Sequence, residues 1–181
     1  MKFRLALALI AIAALTRLFP HPHNFTPIGA IGLFGAAYFD RRWLALVVPF
    51  AALFVSDLLI NNVLYHEFYG GQFQFITSWW IYAAFGAVML VGWTLLRHQK
   101  IAPLRIASAS LGASAVFFLI TNFSVWLEGG MYPQTGEGLL ACYVAGIPFL
   151  GNTVLGDLCF SAALFGAYEW ATRRSASVVN S

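Results

Sequence analysis

The sequence predicts an all-α fold: an integral membrane bundle of six transmembrane helices, forming one domain over residues 1–174 with a flexible cytoplasmic tail at 175–181. Three observations carry this. The chain of 181 residues is 60% hydrophobic and 9% charged, with a mean hydropathy of +0.76, whereas soluble domains carry about 25% charged residues. Its apolar residues fall into runs suited to a bilayer, separated by short polar breaks. Lysines and arginines, Arg17 excepted, cluster at alternate breaks, which is the charge asymmetry of a multi-pass topology.

The first segment runs from about Phe3 to Phe19, about 26 Å of helix, with Arg17 near its far end. Lys2 and Arg4 before an apolar run, with Ala11-Ile12-Ala13 as an A-x-A site, resemble a signal peptide. The segment is read as an uncleaved span because the charge pattern then closes. Pro20-His21-Pro22-His23-Asn24 ends it. Segment two, about Phe25 to Phe39, is short and rich in small residues, and Gly32 with Ala36 permits close helix contact. Asp40-Arg41-Arg42 is a turn into segment three, Trp43 to about Tyr65, which contains Pro49, Asp57 and Asn61. Residues 66–72 form a loop, and segment four spans about Phe73 to Leu96. Segment five follows Arg97, Lys100, Pro103 and Arg105 and reaches Leu127, with Ser108, Gly112 and Ala115 on a small-residue stripe. The last apolar region, 138–172, would be about 52 Å long as one helix, against about 30 Å of hydrocarbon. Pro148 and Gly151 are expected to break it into a short outer helix, Gly138 to Ala145, and a sixth span, Gly151 to Ala171.

The basic clusters are Lys2 with Arg4, Arg41 with Arg42, Arg97 with Lys100 and Arg105, and Arg173 with Arg174. All fall on one side of a six-span topology. The opposite loops, 66–72 and 128–137, hold Glu67, Glu128 and Glu137 without Lys or Arg. This predicts a multi-pass protein of the cell inner membrane with both termini cytoplasmic. The net charge of +3 is spread among these clusters, so the lipid bilayer is the expected partner and nucleic acid is not. The two lysines belong to no Gly-x4-Gly-Lys-Ser/Thr loop, which excludes ATP hydrolysis through a P-loop. No Gly-x-Ser-x-Gly elbow occurs, and no enzyme activity or cofactor is expected. Cys142 and Cys159 match no metal spacing and read as small hydrophobes. His21 and His23 flank Pro22 in an extended segment where alternate side chains diverge, so no metal site is expected there.

The polar residues of the apolar segments carry the functional argument. Ionisable groups inside spans are expensive and suggest function, and a buried amide without partners costs roughly 2 kcal/mol or more. Asp57 lies about 21 Å along segment three, with Asn61 and Tyr65 on the same face. Asn122 and Trp126 share a face at the outer end of segment five. Asn152 and Asp157 open segment six, with Thr153 stacked over Asp157. Arg17, His21, His23 and Asn24 lie at the outer end of segment one. The bland alternative is interhelical glue, with Arg17 paired to Asp57 or Asp157. Glue has no reason to gather on one side of the membrane, however. An outward-facing pocket accounts for the asymmetry better, with Trp126, Tyr132 and Tyr143 as apolar walls.

Arg17-Leu-Phe-Pro-His-Pro-His-Asn-Phe-Thr-Pro-Ile-Gly-Ala-Ile, Leu33-Phe-Gly and Ser56-Asp-Leu form a distinctive pattern. Thr121-Asn-Phe-Ser-Val-Trp, Met131-Tyr-Pro, Cys142-Tyr, Ile147-Pro-Phe and Gly156-Asp-Leu continue it. The pattern, covering most of residues 15–170, resembles an uncharacterised bacterial family described as transport proteins. Those proteins are similar to the S components of energy-coupling factor transporters. The resemblance implies an S-component-like fold with a substrate, a vitamin or a metal ion, bound near the outer face. It also implies a separate transmembrane coupling subunit with paired ATPases, contacted by Ala-xxx-Ala helix motifs. Segment one is Ala-rich (Ala6, Ala8, Ala11, Ala13, Ala14) but has no strict Ala-xxx-Ala, since Ile10 follows Ala6 at that spacing.

The function expected is small-molecule uptake by a substrate-binding protein. The alternative is a non-transporting membrane scaffold or partner-binding protein. The topology predicts that cysteines introduced at Gly70 and Gln134 react with an impermeant thiol reagent added outside cells, and that one at Gln99 does not. Outside labelling at Gln99 would contradict the six-span count.

Overall fold

The computed structural model describes residues 2–179, and its regular elements are all helical. Helix α1 is Lys2–Thr16, α2 Ile28–Tyr38 and α3 Arg42–Leu59, which runs on as a π-helical turn, Ile60–Leu64. Then follow α4 Trp79–Leu95, α5 Pro103–Glu128 and α6 Gly136–Val179. Residues 180 and 181 of the expected tail lie outside the described residues.

Successive helices alternate in direction. Arg97 Nη2 donates to the Asp40 carbonyl at 2.7 Å, the Tyr38 hydroxyl donates to Glu169 at 2.7 Å, and Phe3 packs edge-on against Phe39 at 5.7 Å. These contacts bring all four basic clusters to one end of the bundle. At the other end, Asn62 and Gln74 exchange side-chain-to-backbone hydrogen bonds of 2.7 and 2.8 Å, which pins the 65–78 connection.

Helix α2 is the axis of the bundle. Every residue from Ile28 to Ala36 is buried, and the helix touches all five others. Its glycines and alanines let neighbouring helices approach closely. A Cβ on Gly92 of α4 would lie 2.8 Å from Ala36 Cβ and 3.2 Å from the Leu33 backbone, so the small-residue pair Gly32 and Ala36 does sit on a close contact. Gly35 lies directly against the Pro49 ring of α3, with no room for a side chain.

Three helical stretches are long and apolar enough to cross a membrane: Arg42–Leu64, Pro103–Glu128 and Gly136–Ser175. Together with the composition, they make this a helical membrane-embedded protein. Helix α2, with 11 residues, is only about 16 Å long. Non-helical residues 17–27 occupy the length it lacks. Backbone of that kind is tolerated at membrane depth only where protein buries it or where it lines a cavity.

The sequence reading requires three corrections. Segment four begins at Trp79, not Phe73, because Asn62 captures the Gln74 backbone and Ser78 caps the helix, accepting from Trp80 N. The last region does not break at Pro148 and Gly151: α6 is one helix of 44 residues, about 66 Å. Pro148 lies on its exposed face and removes only one donor, and where no water competes for the backbone the remaining ladder holds. On α5 the inward face is Ala109, Ser110, Ala113 and Ser114, while Ser108 and Ala115 are exposed. The hydroxyls of Ser110 and Ser114 bond to α6 and select that face.

Overpacking a tight core costs about 1–3 kcal/mol. Gly35→Ala should therefore lower the melting temperature of the detergent-solubilised protein, whereas Gly166→Ala, inside α6 with nothing within 4 Å of the added methyl group, should leave it unchanged or raise it. Equal melting curves for the two variants would contradict the α2–α3 contact.

Candidate functional site

Arg17 directly follows α1 and reaches across to α3. Its Nη2 meets Asp57 Oδ1 at 2.7 Å, and its Nη1 donates to the Ser56 hydroxyl and, at 3.4 Å, to the Leu53 carbonyl. From α4, the Tyr82 hydroxyl donates to Asp57 Oδ2 at 3.0 Å. The pair is 10% and 1% exposed, and both carboxylate oxygens are engaged. A buried ion pair gains little over an apolar replacement, but deleting one partner strands the other at a cost of about 3–5 kcal/mol. This pair locks the relative positions of α1, α3 and α4. One turn further, Asn61 sits in the π-helical turn. It accepts from the Thr77 hydroxyl at 3.2 Å, and its Nδ2 has no partner.

Asp157 of α6 does different work. Its Oδ2 accepts from the Ser114 hydroxyl at 2.6 Å, and the backbone N–H groups of Gly29 and Ala30 donate to it. Those amides belong to the first turn of α2, which has no intrahelical acceptors, and the preceding Pro27 supplies no side-chain cap. Asp157 thus caps α2 from another helix, with its negative charge placed where the helix dipole favours it. The approach is possible because residue 29 is glycine: a Cβ there would overlap the carboxylate. Gly156 likewise lets residues 25–26 lie on α6, since a Cβ would come 3.1 Å from the Thr26 nitrogen. Asn152 Nδ2 donates to the His23 carbonyl at 2.9 Å. Asn24 takes a left-handed turn, φ 63°, a conformation Asn tolerates better than most residues.

Two adjoining cavities open from this layer toward the end away from the basic clusters, sharing Asn24, Ile81 and Phe117 in their walls. The smaller, about 160 Å³, is lined at its base by Arg17, Thr26, Gly29, Thr153 and Asp157. The larger, about 590 Å³, is lined by His23, Asn122, Glu128, Met131, Tyr132 and Phe149 among others. Asn122 Nδ2 donates to the Phe118 carbonyl of its own helix at 2.9 Å, and Gly146 leaves the space that Asn122 Oδ1 occupies.

Of the residues singled out from sequence, Arg17, His23, Asn24, Asn122, Tyr132, Thr153 and Asp157 line these cavities. Asp57 stands behind Arg17, and Asn61 lies beyond it. Three others frame the space without lining it. The Trp126 indole donates to the Pro133 carbonyl at 3.0 Å, the Tyr143 hydroxyl to the Leu119 carbonyl at 2.8 Å, and Asn152 holds the His23 turn. His21 is exposed, its Nδ1 3.0 Å from the Pro22 carbonyl. Sequence reasoning did not find Tyr82, Ser114, Thr26, Ile81 or Phe117. Ser114 could have been found from its helical spacing with Ser110, facing an acid; Tyr82 is one aromatic among many in an apolar run and carries no such signal.

Asp57→Leu should destabilise the protein by about 3–5 kcal/mol by stranding Arg17. The double variant Arg17→Met/Asp57→Leu should be more stable than Asp57→Leu alone. Thermal unfolding in detergent checks both, and a wild-type midpoint for Asp57→Leu would contradict the ion pair's role.

No curated protein and no solved structure matches the chain. One family, described as a family of unknown function (DUF6580), matches residues 1–178. The match spans nearly the whole length, so the chain belongs to that family.

Proposed function

We propose that this protein binds a small molecule in the larger cavity and serves in its uptake across the cell inner membrane, as a substrate-binding protein similar to the S components of energy-coupling factor transporters. One observation supports this above the others. Polar side chains from residues 17–26, α5, the 129–135 connection and α6 converge on two adjoining cavities at a single end of the bundle. The basic clusters lie at the opposite end, and by the positive-inside rule the cavity end faces outward, with both termini cytoplasmic. A volume of about 590 Å³ falls within the roughly 300–1,000 Å³ of small-molecule sites. Its walls combine apolar surface (Ile81, Phe117, Val125, Met131, Phe149) with polar groups, among them His23, Asn24, Asn122, Glu128 and Tyr132, that could orient a ligand. The exposed face of α1, with Ala8, Ala11 and Leu15, is where a transmembrane coupling subunit with ATPases would dock.

A second reading has its own support. Asp57, Trp126, Tyr143 and Asn152 all have internal partners, as expected of a scaffold whose polar residues serve packing. Vesicles containing the purified protein and offered labelled vitamins and nucleobases separate the two readings. Saturable accumulation supports uptake; its absence, with the protein folded, supports the scaffold.

Asn122→Leu preserves volume while removing the amide. A lost ligand hydrogen bond is worth about 1–3 kcal/mol, so ligand affinity should fall about tenfold or more while the melting temperature stays within a degree or two. A lowered melting temperature with intact affinity would make Asn122 a packing residue.

A further inference from the structure

We propose that the smaller cavity selects a small organic cation, a protonated amine or nitrogen heterocycle about one ring in size, with Asp157 as its counter-ion. This rests on the binding role proposed above and specifies the chemistry of the ligand.

The charges around the cavity are unequal. Arg17 lines it, but its guanidinium is paired with Asp57 at 2.7 Å, so the two together are neutral. Asp157 also lines it and is 2% exposed, and among the described residues no ion pair reaches it. Its partners are one hydroxyl and two backbone amides. Those three donors leave one of a carboxylate's roughly four acceptor positions open. The N-terminus of α2 offsets only about half a unit charge. Asp157 therefore stands at the cavity wall as a carboxyl group without a cationic partner.

The approach has the same sign. The larger cavity is lined by Glu128 and His23, and neither cavity is lined by a Lys or by an Arg other than the paired Arg17. A low-dielectric cleft of one sign concentrates ligands of the opposite sign. Size and wall chemistry narrow the class further. A cavity of about 150 Å³ holds a benzene ring, and this one is about 160 Å³. Ile28, Ile81 and Phe117 supply apolar wall for a carbon skeleton, and Phe117 also offers an aromatic ring to a cation. Among the described residues no three His, Cys, Asp or Glu side chains are grouped to hold a metal ion, which favours an organic cation.

Charge-selective thiol modification tests this directly. On a Cys142→Ala/Cys159→Ala background, Thr153→Cys places a thiol in the wall of the smaller cavity. Its rates with cationic 2-aminoethyl and anionic 2-sulfonatoethyl methanethiosulfonate are taken as a ratio, normalised to the same ratio for free 2-mercaptoethanol. The expected normalised ratio is about ten or more in favour of the cation. Asp157→Asn, which keeps an acceptor oxygen for the α2 amides, should bring it to about one. A ratio near one or below in the Thr153→Cys protein overturns the inference while leaving the cavity accessible, so the binding role stands. A high ratio unchanged by Asp157→Asn also overturns it, by placing the negative potential elsewhere. Failure of both reagents and of neutral methyl methanethiosulfonate to react would mean that the smaller cavity is closed and would overturn this inference, leaving the larger cavity to the vesicle assay. If Asp157→Asn does not fold, the ratio in the Thr153→Cys protein alone decides.

Discussion

The N-terminus of α2 ends inside the bundle, and much of the structure follows from satisfying it. Its first amides have no intrahelical acceptors, and each buried N–H left unpaired costs about 1–3 kcal/mol. Asp157 accepts from two of them. That arrangement needs Gly29 bare and α6 continuous through Asp157. It also needs residues 17–27 to cross the bundle as open chain, resting on Gly156 and held by Asn152 at the His23 carbonyl. The cavities are the space left beside a helix too short to fill the bundle. A structural demand and a candidate binding site thus share one carboxylate.

Arg17 secures the other side of the same layer. Its pairing with Asp57, braced by Tyr82 and Ser56, joins three helices and leaves no charge over. The two intramembrane acids therefore differ in consequence. Asp57 has a full counter-ion and reads as a fixed strut. Asp157 has no cationic partner and stands at a cavity wall. The polar residues flagged by their cost divide the same way, into those consumed by internal bonds, such as Tyr143 and Trp126, and those that line open space, such as Asn24, while Asn122 does both.

The helical membrane class and the common end of the basic clusters were legible because both follow from composition and charge order, which no tertiary detail alters. The gathering of Arg17, Asn24, Asn122 and Asp157 was legible for a related reason: polar groups in apolar segments are costly, so their depth is informative. What sequence reasoning missed lies in pairings between distant segments. Nothing near Asp157 in the chain reveals that it caps a helix beginning at Ile28. Pro148 is a breaker by local rule, yet α6 continues because the backbone there has no better partner than its own ladder. Ser108, Gly112 and Ala115 read as a contact stripe as readily as Ala109, Ser110, Ala113 and Ser114. Only the acceptors on α6, Asp157 and Ser161, decide between the two faces.

The central claim is that the space beside α2 is built to hold a small molecule. The most direct measurement is a thermal-shift screen of the purified full-length protein against vitamins, nucleobases, amines and metal ions, because a ligand bound only by the folded state raises stability with its concentration. A saturable rise in melting temperature for one chemical class, carried by a compound small enough for the two cavities, is the result this account predicts. A folded protein whose midpoint no compound moves at any concentration tested, while Asp57→Leu and Gly35→Ala lower it as structural residues should, would contradict the claim and leave a scaffold.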